Sequence, residues 1–306
     1  MKIKRREFLG AAMAGATAAG SAVDAIAATA NKADALDPLA MVPLGKELKA
    51  TRIGLGTGMK AWERVSDQIR LGQKHFDKIF RYCYERGIRL FDVADLYGTH
   101  SYIARNLKDK PRESYTLTSK IWWRKGGVPD ADKGDADVVV KRFLKELKTD
   151  YIDLVHLHCM TSPTWPKEQR RQMDILEDLK QKGLIRAHGC SCHSLGAIEA
   201  AVKEPWVDAA NIRINPFHTK TDGKAEKILP VIKNLHAAGK GVIGMKIIGE
   251  GQFKDDTQKI DDSVQFAVDS GAVDCMIVGF EQTWQVDDII ARVKKALVKK
   301  GKQQTG

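Results

Sequence analysis

Four side chains that can hold or move a proton, Asp92, Tyr97, Lys120 and His158, are scattered along the chain, each read at the C-terminal end of an apolar run with strand character. The strings are Gly-Ile-Arg-Leu-Phe-Asp92-Val-Ala-Asp-Leu-Tyr97-Gly, Tyr-Thr-Leu-Thr-Ser-Lys120 and Tyr-Ile-Asp-Leu-Val-His-Leu-His158. In a barrel of alternating strands and helices such ends face one mouth, so residues far apart in sequence meet one small molecule. A phenol ionises near pH 10 and is a poor acid unless its anion is stabilised, and a neighbouring ammonium supplies that stabilisation. The set is therefore suited to passing a proton to or from a reacting oxygen near neutral pH.

In order, and in the five-residue step from Asp92 to Tyr97, the strings resemble the aldo-keto reductase superfamily over roughly residues 40 to 300. The resemblance implies an α/β fold, the (β/α)8 TIM barrel, and an NAD(P)-dependent oxidoreductase that moves a hydride between a carbonyl and an alcohol. It also implies roles: Tyr97 as general acid/base, Lys120 stabilising its anion, Asp92 holding Lys120, and His158 fixing the carbonyl oxygen.

The elements needed to position these residues follow from periodicity. Pro43 to Lys49 contains a turn, and Arg52 to Gly58 reads as a strand ending in glycines. Residues 74 to 86 carry Phe76, Ile79, Phe80 and Cys83 at helical spacing, with Gly87 as the stop. The Asp92 strand, a short helix near 101 to 107, the Lys120 strand, a helix over 136 to 147 and the His158 strand come next. The second half continues with helix 167 to 182, strand Ile185 to Cys190, helix 195 to 203, strand Val207 to Ile214 and helix 223 to 238. Strand Gly241 to Ile247, helix 260 to 269, strand Val273 to Val278 and helix 284 to 299 complete eight strand-helix pairs, as a closed parallel barrel requires. The long connections after Lys120 and His158, with Trp122, Trp123, Pro129, Pro163, Trp165 and Pro166, are expected as pocket walls.

The resemblance extends to a nicotinamide site. It places Gly56, Thr57 and Gly58 at the end of the first strand. Lys182 to His193 resembles the family's fifth strand, where a Ser-Asn pair grips the carboxamide; Ser191 is kept and Cys192 stands at the Asn position. Asn211 falls where the family often has a Gln for the same amide. Met245 and Lys246 replace the commoner stacking aromatic, and Gly249 permits close approach of the backbone to the pyrophosphate. Gly279 and Phe280 fall where relatives bind the adenosine phosphate. The following stretch, Glu281 to Asp288, is acidic, which suits ribose hydroxyls better than a 2′-phosphate and favours NAD(H) over NADP(H), with Asp288 as a candidate contact.

Residues 1 to 30 are different in kind. Arg5-Arg6 precedes an Ala/Gly-rich stretch ending in small-residue cleavage sites, the pattern of a twin-arginine signal peptide. A polar spacer over 31 to 40, the barrel over 41 to 300 and a polar tail over 301 to 306 make up the rest. The leader is too poor in Leu and Ile, and interrupted by Asp24, to serve as a membrane anchor. The expected product is exported or periplasmic, with the twin-arginine translocation machinery as a partner. Cys83, Cys159, Cys190, Cys192 and Cys275 are odd in number and lack a disulfide spacing, so buried free thiols are expected. The net charge of +11 is partly gathered near the C-terminus without interleaved aromatics, which argues against a nucleic-acid partner.

Two other classes compete. His156, His158, Cys159, His188, Cys190, Cys192 and His193 enrich two adjacent strands in metal-ligating side chains. His156 with His158, and Cys190 with Cys192, would share a side, as in a metal-dependent barrel hydrolase. A barrel that senses a nicotinamide or a sugar without turnover is the other. Against both, the four-residue reductase pattern is intact, and the substrate expected is a small carbonyl or alcohol. Sugars or their derivatives are candidates because they offer both groups, so a cofactor loaded before export could be recycled in place.

Overall fold

Eight short apolar runs pair side by side in parallel and close on themselves, and eight long helices return the chain from one to the next. In the computed structural model residues 35–303 are described. The chain divides into units 1–37 and 38–306, and the expected leader over 1–30 lies outside the described residues. The barrel strands are β3 (Ile53–Gly56), β4 (Leu90–Asp92), β5 (Thr116–Ile121), β6 (Ile152–Met160), β7 (Ile185–Cys192), β8 (Ala209–Arg213), β9 (Gly241–Met245) and β10 (Cys275–Val278). They run in chain order around the barrel, and β10 pairs with β3 to close it. The (β/α)8 TIM barrel expected from the alternation is the fold observed.

The returning helices are α1 (Gln73–Glu85), α2 (His100–Leu107), α3 (Ala136–Leu147), α4 (Arg170–Gln181), α5 (Leu195–Lys203), α6 (Ala225–Ala237), α7 (Thr257–Asp269) and α8 (Thr283–Gln303). In α1 the buried residues are Phe76, Ile79, Phe80 and Cys83, one stripe at i, i+3, i+4 and i+7 that packs on the sheet. Three helices depart from their expected bounds for local reasons. The 167 to 182 segment is split at Gln169, whose φ of −105° is not helical. α7 starts earlier than 260 because Asp256 caps it, accepting from the Lys259 N–H at 3.0 Å. α8 continues past 299 to Gln303. Among the described residues no helix is long and apolar enough to cross a membrane.

The segment around Pro43 is more than a turn. β1 (Met41–Leu44) and β2 (Leu48–Thr51) form an antiparallel hairpin. Its Leu44, Leu48 and Ala50 pack on Leu90, Leu154, Ala187, Ala209, Ile243 and Cys275, which come from six barrel strands. The hairpin thus closes the end of the barrel where the strands begin. Gly45, at φ +67°, is required at its tip, since a Cβ there would sit 2.6 Å from the Asp208 carbonyl oxygen. All five cysteines are buried and free.

Leu44→Ala should lower stability by about 3 kcal/mol through the cavity it leaves under the barrel, read as a shift in the urea midpoint. Ligand binding at the opposite mouth should be unchanged at temperatures where the variant is folded.

Candidate active site

Inward-facing positions recur every second residue along a strand, and in this barrel they change from apolar to polar on the way up. Leu90 is followed inward by Asp92, Leu154 by His156 and His158, Ala187 by Gly189 and Ser191, and Ala209 by Asn211. Lys120, on β5, is wholly buried and donates from Nζ to Asp92 Oδ1 at 2.5 Å and to the Val93 carbonyl at 3.0 Å. The same carboxylate oxygen accepts from Thr118 Oγ1 at 2.9 Å, and Asn211 Nδ2 lies 3.4 Å from it. Thr118 was not singled out from the sequence; its place two residues before Lys120, on the same inward side, was the available signal.

Tyr97 does not end a strand of its own. It closes the 3-10 turn Asp95–Tyr97 that leaves β4, and Lys120 Nζ faces its ring 4.8 Å from the centroid. Gly58 makes room for it, because a Cβ at that position would fall 2.3 Å from the phenol ring. The His158 ring meets Tyr97 edge-on at 5.7 Å and Trp122 at 5.4 Å. The structure therefore brings Asp92, Tyr97, Lys120 and His158 together.

The electrostatics differ from the expected lowering of the phenol pKa. Burial first, then the Asp92 carboxylate, hold the Tyr97 hydroxyl well above its ordinary value. Burial also lowers the Lys120 ammonium, with Asp92 opposing. The charge of Lys120 is largely spent on Asp92, so Tyr97 keeps its proton at neutral pH. Burial, then the charge of Lys120, push His158 well below the usual imidazole range. It is a neutral imidazole.

A cleft of about 1130 Å3, counting its open mouth, runs from Asp92 and Tyr97 past the ends of β9 and β10 to Asp288 and Arg292. Gly56, Gly58, Met245, Lys246, Gly279, Phe280 and Asp288, among the residues the resemblance assigned to a cofactor, line it. Ser191 and Asn211 lie deeper, fully buried, and Ser191 Oγ and Asn211 Oδ1 have no partner within the protein. Buried acceptors and donors of this kind fit a carboxamide. Glycine at 56, 251 and 279 leaves backbone exposed along the cleft.

Several expected contacts are elsewhere. The Thr57 hydroxyl is engaged with the Asp92 carbonyl at 2.9 Å and Thr99 Oγ1 at 2.7 Å, so it braces the strand ends. Cys192 faces out of the barrel with Cys190, sulfur to sulfur 3.5 Å, because odd-numbered residues of β7 point inward. His188, on that outer side too, stacks on Trp206 and pairs with Glu177. The inner pair His156 and His158 and the outer pair Cys190 and Cys192 thus cannot share a metal. Gly249, at φ +55°, sits where a Cβ would collide with Phe253 and Thr219, and Gly251 takes its place on the cleft. Lys246 lies beyond the end of β9 and is not buried inside the barrel; its Nζ meets Glu250 Oε1 at 2.5 Å. Glu250 was missed in the sequence, although its four-residue offset from Lys246 was visible. The residues expected as pocket walls, Trp122, Trp123, Pro129, Pro163, Trp165 and Pro166, do not line this cleft. Trp165 is buried against Trp206 and donates to the Ala197 carbonyl, while Trp122 packs edge-on against His158.

Three inner imidazoles give the site a pH signature. His156 and His158 are held well below the usual range, and His193 at about 3, in each case by burial first. Unfolded imidazoles take up protons near pH 6.5, so as pH falls the unfolded chain binds protons first. The stability from burying these groups neutral is complete above about pH 6.5 and is lost on acidification, by up to about 1.4 kcal/mol per pH unit for each. Urea midpoints at pH 7 and pH 5 should show this fall, and His156→Leu should flatten it at little cost at pH 7.

Comparison with known proteins agrees with the barrel fold. The sequence pattern of the aldo/keto reductase family matches residues 52–270. Methylglyoxal reductase DkgB of Salmonella typhimurium is 30% identical over 195 residues, 55% of this chain and 71% of that protein. The uncharacterized oxidoreductase YqkF of Bacillus subtilis is 29% identical over 175 residues, 54% of this chain and 55% of that protein, so the chain spans little more than half of its length. A crystal structure from Pseudomonas aeruginosa, provisionally described as an aldo-keto reductase, superposes with a TM-score of 0.69 at 25% identity, covering 85% of this chain and 98% of that one. With a closed barrel, a buried Lys-Asp pair under a tyrosine and the family pattern over most of its length, the chain belongs to the aldo/keto reductase family.

Proposed function

We propose that the protein is a nicotinamide-dependent oxidoreductase that interconverts a carbonyl and an alcohol, with Tyr97 giving the proton in reduction and taking it in oxidation. The observation that carries this reading is the junction of Tyr97 and His158 above the buried Lys120–Asp92 pair, at one end of a long glycine-edged cleft. A reduced nicotinamide, when bound, supplies the hydride. The protein's own part is to place the carbonyl and complete its oxygen. Neutral His158 orients that oxygen by a hydrogen bond, and Tyr97, protonated at neutral pH, delivers to it. Lys120 stabilises the resulting phenolate, and Asp92, braced by Thr118, keeps the ammonium charged and in place.

On the cofactor side, Ser191 and Asn211 would take the carboxamide, and Gly56, Gly251 and Gly279 the pyrophosphate. At the far end Arg292 is already engaged by Asp288 at 2.8 Å and Asp261 at 2.5 Å. With Glu281 also on the cleft, this favours NAD(H), whose ribose offers hydroxyls, over NADP(H). Sugars or their derivatives remain the substrate class of this reading. The paired arginines of the leader support export by the twin-arginine route, with the cofactor bound before crossing.

Tyr97→Phe should reduce turnover of small aldehydes about 1,000-fold while leaving cofactor binding, read by nucleotide fluorescence, within about twofold. An equal loss of both would remove Tyr97 from the chemistry. Since the Tyr97 hydroxyl is held above its ordinary value, the rate of reduction should show no deprotonation limb below about pH 10. Mass spectrometry of protein purified without added nucleotide tests loading: retained NAD supports it, and an empty protein that works only with added cofactor argues against it.

A further inference from the structure

We propose that His158, Cys159 and His193 form a site for a soft divalent cation, Zn2+ in chemical class, beside Tyr97 at the barrel mouth. One ligand atom from each lies within 4.8 Å of the others, and Cys159 Sγ is 3.5 Å from His193 Nε2. Ligands on one zinc stand about 3.3 to 3.8 Å apart, so small side-chain rotations complete the set. Two imidazoles and a thiolate leave a fourth position open, the donor count of reactive rather than structural zinc.

The backbone is what makes the triad. Consecutive residues of a strand point to opposite faces, so His158 and Cys159 should not meet. Here β6 carries a register irregularity between Leu157 and Met160, and Cys159 adopts φ +60°. A non-glycine residue in the left-handed region costs about 1 kcal/mol or more and persists where the surroundings impose it. The result turns the thiol to the His158 side. The backbone at His193 is fixed opposite by its amide N–H donating to the Met160 carbonyl at 2.7 Å.

The donors are available. His158 Nδ1 is buried without a partner in the protein, and both imidazoles are neutral. Burial raises the Cys159 thiol to about 11, against the pull of Arg124, Arg213, Lys120 and Lys246, so the metal must displace its proton: thiol and M2+ give a metal thiolate and H+. Those cations do not bar the site. Lys120 faces Asp92, Arg213 faces Asp222 and Lys246 faces Glu250, while exposed Arg124 turns to the Thr161 hydroxyl. None of this requires the reductase reading. If that reading holds, metal and carbonyl compete for His158.

The test uses the full chain with Zn2+ and with Co2+ as a spectroscopic substitute, and needs no turnover. We expect one Zn2+ per chain in competition with a chromogenic chelator and a thiolate-to-cobalt charge-transfer band in the wild type. Cys159→Ser should abolish the band and weaken Zn2+ about 100-fold; His193→Gln should weaken it similarly and keep the band. If Cys159→Ser does not fold, as judged by its melting curve, the wild-type band and His193→Gln decide alone. Absence of the band in the wild type, or Zn2+ affinity unmoved by the variants that fold, overturns the proposal.

Discussion

An ammonium buried in the throat of an apolar barrel is the constraint around which this structure is arranged. Lys120 has no access to solvent, and an unpaired charge there would cost several kcal/mol. Asp92 meets it at 2.5 Å, and the Val93 carbonyl accepts a second hydrogen bond from it. Asp92 then needs its own partners, which Thr118 supplies at 2.9 Å, with Asn211 nearby across the barrel. Three strands are tied together by one pair of charges. Because that pair is nearly self-neutral, it fixes the position of the proton-handling side chains without drawing the proton off Tyr97.

Close packing, more than polar contact, sets the rest of the mouth. Tyr97 owes its place to the missing side chain of Gly58, and the ring in turn covers Lys120. Trp122 and His158 meet edge-on, an arrangement favourable for aromatic rings. Below them the barrel is apolar and sealed by the hairpin of β1 and β2, so water reaches the site from the mouth side and the low-dielectric floor keeps all three inner imidazoles neutral.

The cleft beyond Tyr97 has its own electrostatic balance. Lys246 with Glu250, Lys254 with Glu281, and Arg292 with Asp288 and Asp261 leave acidic and basic groups paired along its length. An incoming nucleotide would have to reorganise these pairs, and its recognition would draw on exposed backbone at the glycines as much as on charge.

Much of this protein was legible in the sequence. Short apolar runs located every barrel strand and period-3.6 hydrophobicity every long helix, because burial in the core is a local requirement that repeats along the chain. The order Asp92, Tyr97, Lys120, His158 marked the site, since strand ends of a barrel share a mouth. What local pattern could not decide was which face a given residue takes and what it meets there. Cys192 turned outward with Cys190, Thr57 became a brace for Asp92, and Gly251 rather than Gly249 came to line the cleft. His158 and Cys159 came to share one side through an irregularity in β6 that no periodicity announces. Register, bulges and the pairing of charges depend on contacts between residues distant in the chain, and only the closed barrel brings those residues together.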